Sequence, residues 1–268
     1  MTKGSDLALD VRGVSVRFGG LQALDDVSLQ VARCAIGGLI GPNGAGKTTL
    51  FNCVTGVLSP SAGRVALFGD DVTGWPVHRR ARAGVGRTFQ RLELFASLSV
   101  LDNLVVAAES HLASGNLATD LLALPATVEA RFEAEERALA VLDMVGLGEH
   151  AATAAGDLPL GLSRLVELGR ALCTEPRLLL LDEPSSGLRL AESRRLASLL
   201  RSLRDDQGLS LLVVEHDMSF VLGLCDDVSV LDFGRLIAAG TPDEVRADPN
   251  VQAAYLGEEV EDAPAARG

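Results

Sequence analysis

Gly41-Pro42-Asn43-Gly44-Ala45-Gly46-Lys47-Thr48 fits the pattern G-x-x-x-x-G-K-[ST] at every fixed position. Glycines at those places let the backbone wrap so that its N–H groups point inward, at phosphate oxygens. A helix starting after the loop adds partial positive charge at its N-terminus. Lys47 is then placed to reach the β and γ phosphates, and the Thr48 hydroxyl to ligate Mg²⁺, with Thr49 completing the cradle. The competing reading is a glycine-rich turn with a chance lysine. The flanks argue against it: apolar Ile36–Ile40 precedes the loop, and Leu50, Phe51, Val54 and Val57 follow. Alone, the motif says only that a nucleoside triphosphate binds.

Two further groups carry chemistry. Asp182 ends the apolar run Leu178-Leu179-Leu180-Leu181, where a carboxylate is costly unless it serves a cation or hydrogen-bond donors. It is the natural holder of Mg²⁺. Glu183 follows, and would face the opposite way if the strand continued. There it can orient and polarise an attacking water. An acidic strand end without chemistry is the alternative, weakened by the phosphate loop. His216 ends a second apolar run, Leu211-Leu212-Val213-Val214, and its imidazole can meet a γ-phosphate. A lone histidine is more often structural than catalytic, so that reading stays beside it.

The elements that must position these groups alternate short apolar runs with helix-like stretches, which predicts an α/β architecture. The runs 178–181 and 211–214 are apolar at every residue and end in acids. They read as buried strands of a parallel sheet with a polar carboxyl edge. Ile36–Ile40 reads as a weaker strand, because Gly37 and Gly38 interrupt it. Residues 7–18 and 26–32 alternate apolar and polar, and Gly63 to Phe68 adds another strand, together predicting a small antiparallel layer. An amphipathic helix is expected over about 127–146, with Val128, Phe132, Leu139, Leu142 and Val145 on its apolar stripe, and another over 190–206. The run His78-Arg79-Arg80-Ala81-Arg82 is expected to be a solvated helix face rather than an anion site. No internal repeat occurs, so one copy of the site is expected.

Composition limits the rest. The chain has 268 residues, 24 Lys plus Arg against 36 Asp plus Glu, and a formal net charge of −12. Such acidity excludes bulk nucleic-acid binding, which draws its affinity from phosphate neutralisation. No apolar run is long enough to span a bilayer, and residues 1–6 lack the order of a secretion signal. Cys34, Cys53, Cys173 and Cys225 lie far apart, predicting buried reduced thiols rather than disulfides or a zinc cluster. A cytoplasmic chain is expected.

With these residues in view, the sequence resembles the ATP-binding subunits of ABC transporters, and more narrowly the larger ATPase subunit of bacterial branched-chain amino-acid importers. The resemblance runs from about Leu7 to Gly257. Val16 to Leu24 matches the segment whose aromatic stacks on adenine, here Phe18. Gly86-Arg87-Thr88-Phe89-Gln90 matches the Q-loop, Leu178 to Pro184 the strand with the catalytic glutamate, and Val214 to Met218 the switch-histidine segment. The stretches Phe18-Gly19-Gly20, Arg87-Thr88-Phe89-Gln90 and Ala254-Tyr255-Leu256-Gly257 carry the narrower likeness. It implies a P-loop NTPase core with a mainly parallel sheet, an antiparallel β layer and a helical subdomain, all in a single ABC ATPase domain. Core and layer would span about 7–90 and 160–257, the helical signature subdomain about 91–165, and 258–268 would be a disordered tail. ATP and Mg²⁺ are the implied ligands. Glu183, His216 and Gln90 are the implied catalytic group, and Thr48, Gln90 and Asp182 the metal set.

The same resemblance implies partners: a second, homologous or identical ATPase subunit, two membrane permeases and, indirectly, an extracytoplasmic solute-binding protein. It places the chain peripherally on the inner face of the plasma membrane. Related urea or lipid systems, or a nucleotide switch with little hydrolysis, are the alternatives. The signature that closes over a partner's ATP reads Leu158-Pro159-Leu160-Gly161-Leu162, where the family pattern is Leu-Ser-Gly-Gly-Gln. Pro159 brings neither hydroxyl nor N–H, and Leu162 replaces the glutamine. Arg189 stands where this subfamily usually has Asn. Gln90 would sense the γ-phosphate through Mg²⁺ or the attacking water. The apolar cluster Leu92, Leu94, Phe95, Leu98 and Val100 would then be core or, as the resemblance implies, receive a short permease helix, with Leu94 and Phe95 as anchors.

Overall fold

The computed structural model describes residues 6–88, 93–112 and 125–261, with side chains for 6–88, 93–111 and 130–255. The chain divides into two units. One comprises Met1–Arg87, Arg177–Ser185 and Leu200–Gly268, and the other Thr88–Pro176 and Ser186–Leu199.

The first unit is built on two sheets. Strands β1 (Leu7–Phe18), β2 (Leu21–Ala32), β4 (Ala62–Leu67) and β5 (Asp70–Asp71) form an antiparallel layer in the order β2-β1-β4-β5. Its period-2 alternation sends Leu9, Val11, Val14, Leu24 and Val27 into one core. Strands β3 (Ile36–Ile40), β6 (Val85–Arg87), β7 (Leu178–Asp182), β8 (Ser210–Val214), β9 (Asp227–Asp232) and β10 (Arg235–Gly240) form the second sheet, in the order β10-β9-β3-β8-β7-β6. All its pairings are parallel except β9 with β10. Both faces of β3, β7 and β8 are buried, which is why their sequences carry no polar alternation.

Gly37 and Gly38 do not weaken β3. A Cβ at Gly38 would lie 2.6 Å from Val221 Cγ1 and 3.0 Å from Cys225 Sγ. The glycine lets helix α7 (Met218–Leu224) pack directly on the strand. The remaining helices of this unit are α1 (Lys47–Thr55), α2 (Val77–Arg82), α8 (Pro242–Ala247) and α9 (Pro249–Glu261). The backbone of α9 enters the segment expected to fray at Glu258.

In the second unit, α3 (Val100–Leu112), α4 (Pro125–Met144) and α5 (Leu160–Leu172) share a core of Val100, Leu104, Ala107, Ala138, Leu142 and Val166. Helix α6 (Leu190–Gln207) begins in this unit and ends in the first. The position of α4 agrees with its sequence, but its buried face does not. Leu142 and Val145 are buried as expected, whereas Phe132 is 64% exposed and Leu139 is also exposed. Ala134, Ala138 and Val141 take their places. Small residues let α4 approach Ala107 and Ala108 of α3 closely, a gain that a stripe chosen by side-chain size cannot register. Val128 lies outside the described side chains.

Two other expectations are corrected. Arg80 is not on a solvated face but 1% exposed, donating to the carbonyls of Cys53, Val54, Thr73 and Trp75. Cys53 and Val54 lie in the last turn of α1, whose terminal carbonyls attract a cation. Arg79 stacks over Trp75 at 3.8 Å. Of the four cysteines, Cys53, Cys173 and Cys225 are buried, and Cys34 is exposed.

Candidate active site

The phosphate loop leaves the carboxyl end of β3 and leads into α1. Its last glycine, Gly46, has φ 104°, and a Cβ there would lie 2.8 Å from both Ala23 O and Leu24 Cδ2. Only glycine meets both demands. The loop is pinned from outside: Gly234 N donates to Ala45 O at 2.9 Å, and Asp25 N to Gly234 O at 2.8 Å. Among the described residues no side chain caps α1. Lys47 is buried, and its Nζ donates to Gly41 O at 2.5 Å and Pro42 O at 2.9 Å. Asn43, Gly44 and Thr48 are exposed, while Pro42, Gly46 and Thr49 are half-buried.

Asp182 ends β7 directly beside Val214 of β8. Burial pushes its carboxyl above the ordinary aspartate value of 3.8; Arg87 opposes the shift, and Glu183 and Glu215 reinforce it. The Arg87 guanidinium stands 3.6 Å from Asp182 Oδ2, donates to Asn52 Oδ1 at 2.9 Å and lies over the Phe51 ring. A carboxylate whose charged form burial disfavours is suited to a hard divalent cation, which restores that form. Among the described residues no group of three or more His, Cys, Asp or Glu could hold a metal.

The strand does not continue through Glu183. This residue has φ 48°, so the chain turns there, and Glu183 N donates to Val214 O at 2.8 Å. His216 Nδ1 lies 3.8 Å from Glu183 Oε1 and 3.8 Å from Glu215 Oε2. Asp217 caps α7, accepting from Ser219 N and Phe220 N, and so fixes the backbone that carries the imidazole. The phosphate loop, Asp182, Glu183 and His216 thus sit at the carboxyl ends of the neighbouring strands β3, β7 and β8. Phe18 is half-exposed at the end of β1, paired with Leu21 across the hairpin.

Gln90 lies outside the described residues. The signature positions belong to the second unit. Pro159 is the N-cap of α5 and has no side-chain cap bond. Leu160 is exposed, Gly161 is half-buried, and Leu162 packs against the helical core. Phe95 is 46% exposed, with Leu94 packed against the same core. The fully buried Asn103 holds Phe95 in place: it accepts from Phe95 N at 2.9 Å and donates to Phe95 O at 3.1 Å.

Sequence reasoning gives no role to Arg87, Asn103 or Glu215. Arg87 stands within a quoted motif, and Asn103 carries no signal. Glu215 lies in plain view beside His216, where an acid closing an apolar run is the available clue.

Comparison with known proteins agrees with this geometry. Residues 24–186 match the family described as ABC transporter. Residues 235–261 match the branched-chain amino acid ATP-binding cassette transporter family. The high-affinity branched-chain amino acid transport ATP-binding protein LivG of Salmonella typhimurium is 44% identical over 250 residues, covering 93% of this chain and 98% of its own. BraF of Pseudomonas aeruginosa, which carries the same description, is 43% identical over the same shares. The crystal structure of an ATP-binding cassette of an ABC transporter in its ADP conformation superposes with a TM-score of 0.81. It is 30% identical and matches over 94% of this chain and 99% of its own. The chain belongs to the ABC transporter family, as one of its ATP-binding ATPase subunits.

Proposed function

We propose that this chain hydrolyses ATP to energise the import of branched-chain amino acids. One observation carries the chemistry: three adjacent strand ends bring Lys47, Asp182, Glu183 and His216 to one edge. The solute class rests on the likeness to LivG and BraF and on the family match at 235–261.

In this reading the loop Gly41–Thr49 cradles the phosphates with backbone N–H groups, and Lys47 neutralises the β and γ oxygens. Phe18 stacks on the adenine. Asp182 and the Thr48 hydroxyl would hold Mg²⁺, which would offset charge developing on the transferred phosphoryl group; Gln90, which lies outside the described residues, is the further ligand that the family resemblance implies. Glu183 orients and polarises the attacking water, and His216 meets the γ-phosphate. Pro159 to Leu162 face the ATP of a second ATPase subunit, homologous or identical. Leu162 lies against the helical core and brings no amide, so the site this chain completes is the weaker one. Core and antiparallel layer form one functional subdomain and the helical signature region another. Two permeases, supplied by an extracytoplasmic solute-binding protein, receive the stroke on the inner face of the membrane, with Phe95 as the exposed anchor. No described helix is long and apolar enough to cross a membrane itself.

The test is Glu183→Gln. The amide keeps the shape and removes the base, so MgATP affinity stays and single-turnover hydrolysis slows by about 10²-fold. A wild-type rate in this variant rejects the assignment. Loss of labelled leucine uptake when the gene is deleted, restored by the wild-type chain, checks the solute.

A further inference from the structure

Glu215 is the one acid at this edge that is 0% exposed. A carboxylate so completely removed from water needs donors, and it has them. Ser185 N donates to Glu215 Oε1 at 2.8 Å and Ser185 Oγ to the same oxygen at 2.5 Å. His216 N reaches Oε2 at 3.3 Å. Glu215 therefore bridges two backbones, the segment leaving β7 and the segment leaving β8.

Between those tethers sits Glu183, in the left-handed region at φ 48°. A non-glycine residue persists there only where its surroundings over-determine it. One side is fixed by Glu183 N on Val214 O, the other by Ser185 on Glu215. We propose that Glu215 is a positioning residue for hydrolysis: it clamps Ser185 so that the Glu183 carboxylate stays aimed, and holds His216 in register with it. This deepens the proposed function and rests on the reading of Glu183 as the base. The clamp acts on geometry, so it governs the rate of the chemical step and not the affinity for nucleotide, which is set by the loop from β3.

Three variants of the full-length chain test this: Glu215→Gln, Ser185→Ala and the two combined. The amide introduced by Glu215→Gln turns an N–H toward His216 N and lacks the charge that shortens the Ser185 bonds. Each single variant is expected to slow single-turnover hydrolysis about tenfold and to leave the MgATP Kd within about twofold. The double variant is expected to be no slower than Glu215→Gln alone, because the Ser185 hydroxyl acts only through that carboxyl. A wild-type rate in either single variant, multiplied effects in the double, or rate and affinity falling together overturns the proposal. Glu183→Gln run alongside separates the two levels: if it hydrolyses normally, the underlying reading fails. The tether itself is read by amide hydrogen exchange, expected to quicken at Ser185 in Glu215→Gln. Unchanged exchange there overturns the clamp on its own.

Discussion

Replacing Arg80 by Met isolates what a buried cation does for the helix that starts the nucleotide site. The guanidinium donates to Cys53 O at 2.6 Å, Val54 O at 2.8 Å, Thr73 O at 3.0 Å and Trp75 O at 3.1 Å. Met fills much of the volume and satisfies none of these acceptors. Each buried acceptor left without a donor costs about 1–3 kcal/mol, so the gross loss is about 4–12 kcal/mol. Two effects return part of it. Burial disfavours the charged side chain and pushes its pKa below the usual arginine value, so deleting the charge removes a desolvation cost. Water entering the vacated space can also serve some carbonyls. A net loss of about 3–5 kcal/mol is expected, a fall in Tm on the order of 10 °C for a chain of this size. Urea unfolding followed by circular dichroism measures it. Arg80→Lys should fall between, since an ammonium keeps the charge and loses the planar fork. A Met variant within about 1 kcal/mol of wild type would refute the argument that these carbonyls depend on Arg80.

Other outcomes follow from the same structure. Lys47→Ala should weaken MgATP binding by about 1.5–3 kcal/mol or more, read by equilibrium titration, and an unchanged Kd would remove Lys47 from the phosphate site. With a thiol reagent at pH 8, Cys34 alone should react in the folded chain. Burial pushes Cys53 up to about 11 and Cys173 and Cys225 up to about 12, and more than one fast thiol would contradict that. Because burial raises the Asp182 pKa above 3.8, the folded state keeps a proton that the unfolded chain has lost. Stability therefore falls as pH rises from about 3.8 to the raised value. In metal-free buffer, wild type should lose urea resistance relative to Asp182→Asn across that window, and a pH-independent difference would count against it.

Much of the candidate site is legible because each of its parts is marked locally. The phosphate loop is contiguous, and Asp182, Glu183 and His216 mark themselves by ending apolar runs that make sense only as buried strands. What the sequence withholds depends on distant neighbours. Arg80 looks solvated until the carbonyls of α1, Cys53 and Val54, are found against it. The face of α4 is misjudged at Phe132 and Leu139 because alanine packing against α3 is decided by helix separation, which hydropathy does not encode. Glu215 reads as a polar strand end, and its role emerges only when Ser185 is brought beneath it.

The sheet order also has a consequence for biosynthesis. β3, the strand that launches the glycine loop, pairs with β8 and β9, whose residues follow roughly 175 and 190 positions later in the chain. At about 5–20 residues per second, a ribosome needs on the order of 10–40 s to supply them. The antiparallel layer, by contrast, has all its strands by Asp71. A nascent chain therefore holds every strand of the β layer beside a phosphate loop whose supporting strands do not yet exist, and the apolar face of that layer still waits for Leu178, Leu180, Leu212 and Leu231. Nucleotide recognition arrives only when β8 and β9 slot in on either side of β3. From then on, ATP stabilises the completed chain by mass action and leaves its precursors unprotected.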